Sequence, residues 1–158
     1  MTGGETRTVS VPNAVLLPEV IRMVAQGHSV TIPLRGYSMR PFLEHERDKA
    51  LLVAPGEVKV GDVALAEVEE KRYVMHRIVA IDGEDVTLRG DGNLSDEHCK
   101  AGDIKAVAVA FFRKGRQEAD RVDGRKWKTY SWWWTRLYPI RRYLLFLYRR
   151  YRAIVIKY

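Results

Sequence analysis

The chain has 158 residues, 46% of them hydrophobic and 30% charged, enough for one compact domain with its own core and too few for two generous ones. Its one cysteine, Cys99, excludes an intramolecular disulfide and fits a reducing compartment. The net charge of +7 is unevenly placed: residues 1–112 carry 13 Lys/Arg against 17 Asp/Glu, and residues 113–158 carry 14 against 3. This divides the chain into a mildly acidic body, 1–112, and a strongly basic tail, 113–158.

The opening, MTGGETRTVSVPNAVLLPEV, lacks a basic start followed by a long apolar stretch, so no signal peptide is expected. No apolar run reaches the roughly 20 residues that a spanning helix needs. Together these imply a cytoplasmic location, peripheral on the inner membrane face if the tail binds lipid. From about 13 to 27, Leu16, Val20, Met23 and Val24 recur at helical spacing and Gly27 supplies a C-cap. SVTIPL then alternates and is rich in β-branched residues, predicting a strand that runs into Gly36.

Short strand-like pieces follow: KALLVA, PGEVKVGD, VALAEVEE, KRYVMHRIVAID, VTLRG and IKAVAVAFFRKGR, with DGNLSDEHCKAGD read as a loop. Strands this short, separated by Gly/Asp turns, predict a mainly β, mostly antiparallel body, sandwich-like or a partly closed barrel. RKGRQEADRVDGRKWK reads as a basic hairpin or exposed connection around Asp123-Gly124.

The last segment, YSWWWTRLYPIRRYLLFLYRRYRAIVIKY, reads as a basic amphipathic C-terminal helix. At about 100° per residue, Ile140, Tyr143, Leu144, Leu147, Tyr151, Ile154 and Val155 gather on one side. Arg141, Arg142, Arg149, Arg150 and Arg152 gather on the other, with Leu145, Phe146 and Ile156 among them. Such a helix packs on the body, binds a partner, or lies on an anionic membrane surface through residues 127–158, where Trp and Tyr suit the headgroup region. Nucleic acid is disfavoured, because no recognised binding module accompanies the basic residues.

The chemistry concentrates around LRGYSMRPFL, where Ser38 lies two residues after Gly36 and shortly before Pro41. A serine hydroxyl needs a neighbouring base, and the base needs an orienting partner. Among the histidines, His28 follows the first helix, His45 lies in the charged run EHERDK and is expected to be solvated, and His98 sits in a polar loop. His76 differs, because it falls within an apolar strand. Taken singly, a strand histidine is more often structural than catalytic, and a turn serine more so. Cys99 beside His98 has no motif around it, and the pair is too sparse for zinc. No metal or cofactor is implied.

In order and spacing, GYSMRPFL, VKVGDVALAEV, YVMHRIVAIDG and LRGDGNLSDE resemble the blocks of the signal peptidase I and LexA-like serine peptidase superfamily. The resemblance spans residues 34–110 and implies that superfamily's antiparallel β fold. It makes Ser38 the nucleophile and His76 the general base, at a position where many members have lysine. His-Arg there is similar to the endoplasmic-reticulum and archaeal signal peptidases. The resemblance implies Asp96 as the acid orienting His76, with Asp91 second and Asp103 a remote third.

The backbone N–H of Ser38 would stabilise the oxyanion, with Gly36 where signal peptidases often have a serine. Gly36, Tyr37, Met39 and Pro41 would form the substrate-binding surroundings. The implied activity is a serine endopeptidase cleaving an extended precursor or signal-like peptide with small residues before the cut. A non-catalytic peptide-binding or adaptor module on the same fold is the alternative. A self-cleaving LexA-like regulator is disfavoured by the histidine and by the lack of a DNA-binding domain ahead of the body.

Overall fold

Alternation of apolar and polar residues draws most of the strands, and the computed structural model describes residues 13–156. Helix α1, Asn13–Ala25, buries Leu17, Val20 and Val24 and ends before Gly27, whose φ of +90° a side chain would strain. The strands are β1 (Val30–Pro33), β2 (Lys49–Val53), β3 (Val63–Glu69), β4 (Arg72–Asp82), β5 (Asp85–Arg89), β6 (Glu97–Lys100), β7 (Ile104–Phe112) and β8 (Asp120–Arg121). Helix α2, Arg125–Arg136, and helix α3, Arg141–Val155, close the chain around a short 3-10 turn at Tyr138–Ile140.

All eight strands join one antiparallel sheet in the order β1-β2-β7-β3-β4-β5-β6, with β8 beside β7. The sheet curls, so β6 comes back against β3 although β4 and β5 lie between them. A second core is enclosed this way: Ala64, Ala66, Ile78, Val86, Leu88 and Ile104, with Cys99 at its margin. The larger core lies under α1 and α2, where Val20, Val24, Leu52, Leu65, Phe111 and Trp127 pack together. The mainly β, antiparallel architecture with helices at both ends is therefore as the sequence indicates.

Three segments differ from expectation, and the last, read as one helix, is two helices broken at Tyr138–Ile140. PGEVKVGD forms no strand: Gly61 takes a φ of +100° and Asp62 Oδ2 accepts from the Lys59 N–H at 2.9 Å, making a turn. Conversely, the stretch read as a loop contains β6, which pairs Glu97–Lys100 with Asp85–Leu88. That strand is short and polar, so pairing with β5 rather than its own pattern creates it.

The C-terminal helices are integral to this body. Trp127 is buried against Phe111 and Phe42, with ring centroids 4.7 Å and 5.1 Å away. On α3 the inward stripe is Arg141, Leu145, Tyr148 and Arg152. The cause is Glu44, a buried carboxylate that accepts from Tyr148 Oη at 2.6 Å and from Arg40 Nη2 at 3.0 Å, with Arg152 3.6 Å away. Burial pushes the Glu44 carboxyl up, but the bonds from Tyr148 and Arg40 and the nearby arginine charges hold it below the usual range. The apolar stripe read from the sequence consequently faces outward.

Candidate active site

The segment between β1 and β2 is pinned at its neck. The Leu34 N–H donates to the Asp48 carbonyl at 2.9 Å, and the Glu46 N–H donates to the Leu34 carbonyl at 2.7 Å. Within this excursion Gly36 takes a φ of +89°, and its N–H donates to His45 Nδ1 at 2.7 Å. His45, expected in solvent, is thus half-buried and holds the turn. The exposed Tyr37 ring leans on His45 at 5.2 Å and carries the Arg40 guanidinium 4.0 Å from its centroid. Met39 and Leu43 are buried in the larger core and fasten the turn from below. Ser38 is left half-buried at the bend, with Pro41 half-buried beyond it.

Gly90-Asp91-Gly92, directly after β5, grips that bend from the other side. The Gly92 N–H donates to the Ser38 carbonyl at 2.7 Å. A Cβ at Gly90 would lie 2.5 Å from the Ser38 carbonyl oxygen, and one at Gly92 would lie 2.6 Å from that of Tyr37. Both glycines are therefore required by close backbone approach. Gly92→Ala is expected to lower stability by about 1–3 kcal/mol through overpacking, read as a lower midpoint in urea or thermal unfolding. An unchanged midpoint would show that the bend moves aside freely.

Asp91, between the two glycines, faces Arg77. The guanidinium clasps it twice, Nε to Oδ1 at 2.8 Å and Nη2 to Oδ2 at 2.7 Å. Both side chains are buried. Helix α2 completes the shell: Tyr130 Oη donates to Asp91 Oδ2 and Trp134 Nε1 to the Asp91 carbonyl, each at 2.8 Å, while Arg77 Nη1 donates to Ser131 Oγ at 2.8 Å. Tyr130 is pushed well above the ordinary phenol value, first by burial and then by the Asp91 charge. Asp91 thus ties the residue after His76 to the serine bend.

His76 is 4% exposed on β4, opposite Ala64 of β3. Its Nδ1 lies 2.6 Å from Glu97 Oε2, although the approach is out of line for a hydrogen bond. Register explains the contact: Leu88 pairs with Ile78 on one side and Glu97 on the other, so Glu97 shares the sheet face of His76. Burial pulls the imidazole below its ordinary 6.5, and the Glu97 charge only partly offsets this. Arg72 approaches the other carboxylate oxygen, Nη1 to Oε1 at 3.2 Å.

The carboxylate beside the imidazole is therefore Glu97, one residue on from the expected Asp96. Asp96 gives both oxygens to Arg89, at 2.5 Å and 2.9 Å, and stands away from the imidazole as a partly exposed surface pair. Asp91, the second choice, belongs to Arg77. Asp103 is farther still, accepting the Lys100 N–H at 2.9 Å in the turn after β6. No sequence motif marks Glu97; only its place at the start of β6 would have found it.

Ser38 and His76 reach the same place from segments thirty-eight residues apart. Both line a cavity of about 160 Å³, together with Gly36 and Met39. Its wall is otherwise mostly apolar, from Leu17, Ile32, Leu34, Leu43 and Leu65, and Glu44 contributes a carboxylate. Tyr37 and Pro41 do not line it. No hydrogen bond joins Ser38 Oγ to His76, and no protein group accepts from the Ser38 N–H among the described residues. Among those residues no cluster of three or more His, Cys, Asp or Glu could hold a metal ion, and no helix is long and apolar enough to cross a membrane. Comparison of the chain with protein-family models, with curated proteins and with solved structures finds no match.

Proposed function

We propose that the chain is a serine endopeptidase of the signal peptidase and LexA-like type, using Ser38 as nucleophile and His76 as general base. The observation that carries this reading is the shared cavity, which brings a bend serine and a buried strand imidazole together. Ser38 Oγ adds to the peptide carbonyl carbon as His76 takes its proton. The resulting oxyanion receives the free Ser38 N–H. Collapse breaks the C–N bond, His76 returns the proton to the departing amine, and an ester on Ser38 remains. Water, deprotonated by His76, then hydrolyses that ester and restores the hydroxyl. Glu97, which Arg72 also holds, acts through His76, its nearby charge favouring the imidazolium that forms. Catalytic hydrogen bonds are often long in a free enzyme and tighten when substrate arrives, which is compatible with the lack of a serine–histidine hydrogen bond here.

The substrate is an extended peptide. Among the described residues β1 pairs only with β2, so no described strand occupies its other edge, which leads towards Ser38. A peptide added there as a further strand would pass the cavity and offer it an apolar side chain. In the test, purified protein is incubated with a library of extended peptides and the products are read by mass. Cleavage by wild type and none by Ser38→Ala supports the reading; equal products from both, or none from either, overturns it. The absent serine–histidine hydrogen bond favours a second reading, a peptide-binding module on the same edge. Binding of library peptides without cleavage would establish it.

A further inference from the structure

Helix α3 carries two apolar-containing stripes, and only one is used. Arg141, Leu145, Tyr148 and Arg152 face the body, locked by Glu44 and by the Trp134 carbonyl, which accepts from Arg141 Nη2 at 3.1 Å. The opposite stripe, Ile140, Tyr143, Leu147, Tyr151 and Ile154, is between 46% and 66% exposed at every position. Rolling the helix to hide it would take Tyr148 and Arg152 from the buried Glu44 and leave it Arg40 alone, so the fold favours this outward face. On α2 the rings of Trp132 and Trp133 are also exposed, edge to face at 4.8 Å, with Arg136 over Trp132.

We propose that this face is a docking surface for an anionic lipid bilayer, with α3 lying in the headgroup region and its outward stripe in the acyl boundary. Charge decides the occupant. Neither α2 nor α3 contains a single acidic residue; Arg150 stands exposed beside the stripe, and Arg142 and Arg149 are exposed farther round the helix. A second copy of the chain would bring like charges together, since residues 113–158 carry 14 Lys/Arg against 3 Asp/Glu. Nucleic acid would satisfy the arginines but leave Leu147 and Ile154 in water. A lipid surface satisfies both, and Tyr143, Tyr151, Trp132 and Trp133 are the ring types favoured at that depth. The 15-residue helix is about 22 Å long, too short for the roughly 30 Å of a bilayer core, so it lies on the membrane rather than through it.

The full chain is sedimented with vesicles of phosphatidylcholine alone and of phosphatidylcholine with about one-third phosphatidylglycerol, at low and high salt. Binding at least roughly tenfold stronger to the anionic vesicles, weakened by salt and accompanied by a blue shift of tryptophan emission, is expected. The double variant Leu147→Glu, Ile154→Glu, at exposed positions, should keep the wild-type unfolding midpoint and lose that binding. Absence of binding to either vesicle, or equal binding by the double variant, overturns the proposal. So does a concentration-dependent dimer that the same variant abolishes. Peptide cleavage is not part of the readout, so the outcome is separate from that of the Ser38 experiment.

Discussion

Exchanging His76 for glutamine is expected to lower kcat/KM on any peptide the wild type cuts by about 10²–10⁴-fold, the usual worth of a positioned base. Glutamine fills similar space and still hydrogen-bonds, but it cannot take the Ser38 proton. The pH profile adds a second reading of the same residue. Burial, only partly opposed by the Glu97 charge, holds the imidazole below 6.5. The ring is therefore neutral and competent at neutral pH, and the rate should climb with pH through a value below 6.5 and then level. Glu97→Gln removes the charge that stabilises the imidazolium, so the acid limb should move lower still while the plateau falls. A Glu97→Gln profile that coincides with the wild type would remove Glu97 from the mechanism, and a wild-type limb well above 6.5 would show that burial does not dominate the imidazole.

The second large effect concerns stability. Asp91→Ala should cost about 3–5 kcal/mol in urea unfolding, because it leaves the Arg77 guanidinium charged, buried and without its carboxylate. Tyr130 Oη loses its acceptor in the same step. A domain of ordinary stability has about 5–15 kcal/mol in all, so the variant would stand near its limit. Asp96→Ala is the informative contrast. Its pair with Arg89 is partly exposed, and such pairs are worth about 0–1 kcal/mol. Equal losses from the two variants would refute the division of roles between them. Replacing both Arg77 and Asp91 with apolar residues should recover part of the loss, since no orphaned charge remains.

The strands around Ser38 and His76 were legible because their signals are local: β-branched runs, glycine turns, and a polar ring in an apolar strand. What escaped was decided by pairing. Asp96 and Glu97 are adjacent acids, and in a strand adjacent residues point to opposite faces. Which of them meets His76 depends on where β6 begins, and β6 exists through its ladder with β5. The resemblance makes Asp91 the second candidate for orienting His76, but the residue facing it is Arg77, one position from the histidine. The two stripes of the final helix were legible as angles. Their inward and outward assignment was not, because Glu44, more than a hundred residues away, selects the stripe that offers a hydroxyl and a guanidinium.

The two-sidedness of the C-terminal helices has a practical consequence. A fragment ending at Phe112 would forfeit the Trp127 indole from the main core and the Tyr130, Ser131 and Trp134 partners of the Arg77–Asp91 clasp. Silence from such a fragment would report a collapsed interior, whatever the helices do at a bilayer. Their outer and inner duties are separable only one side chain at a time.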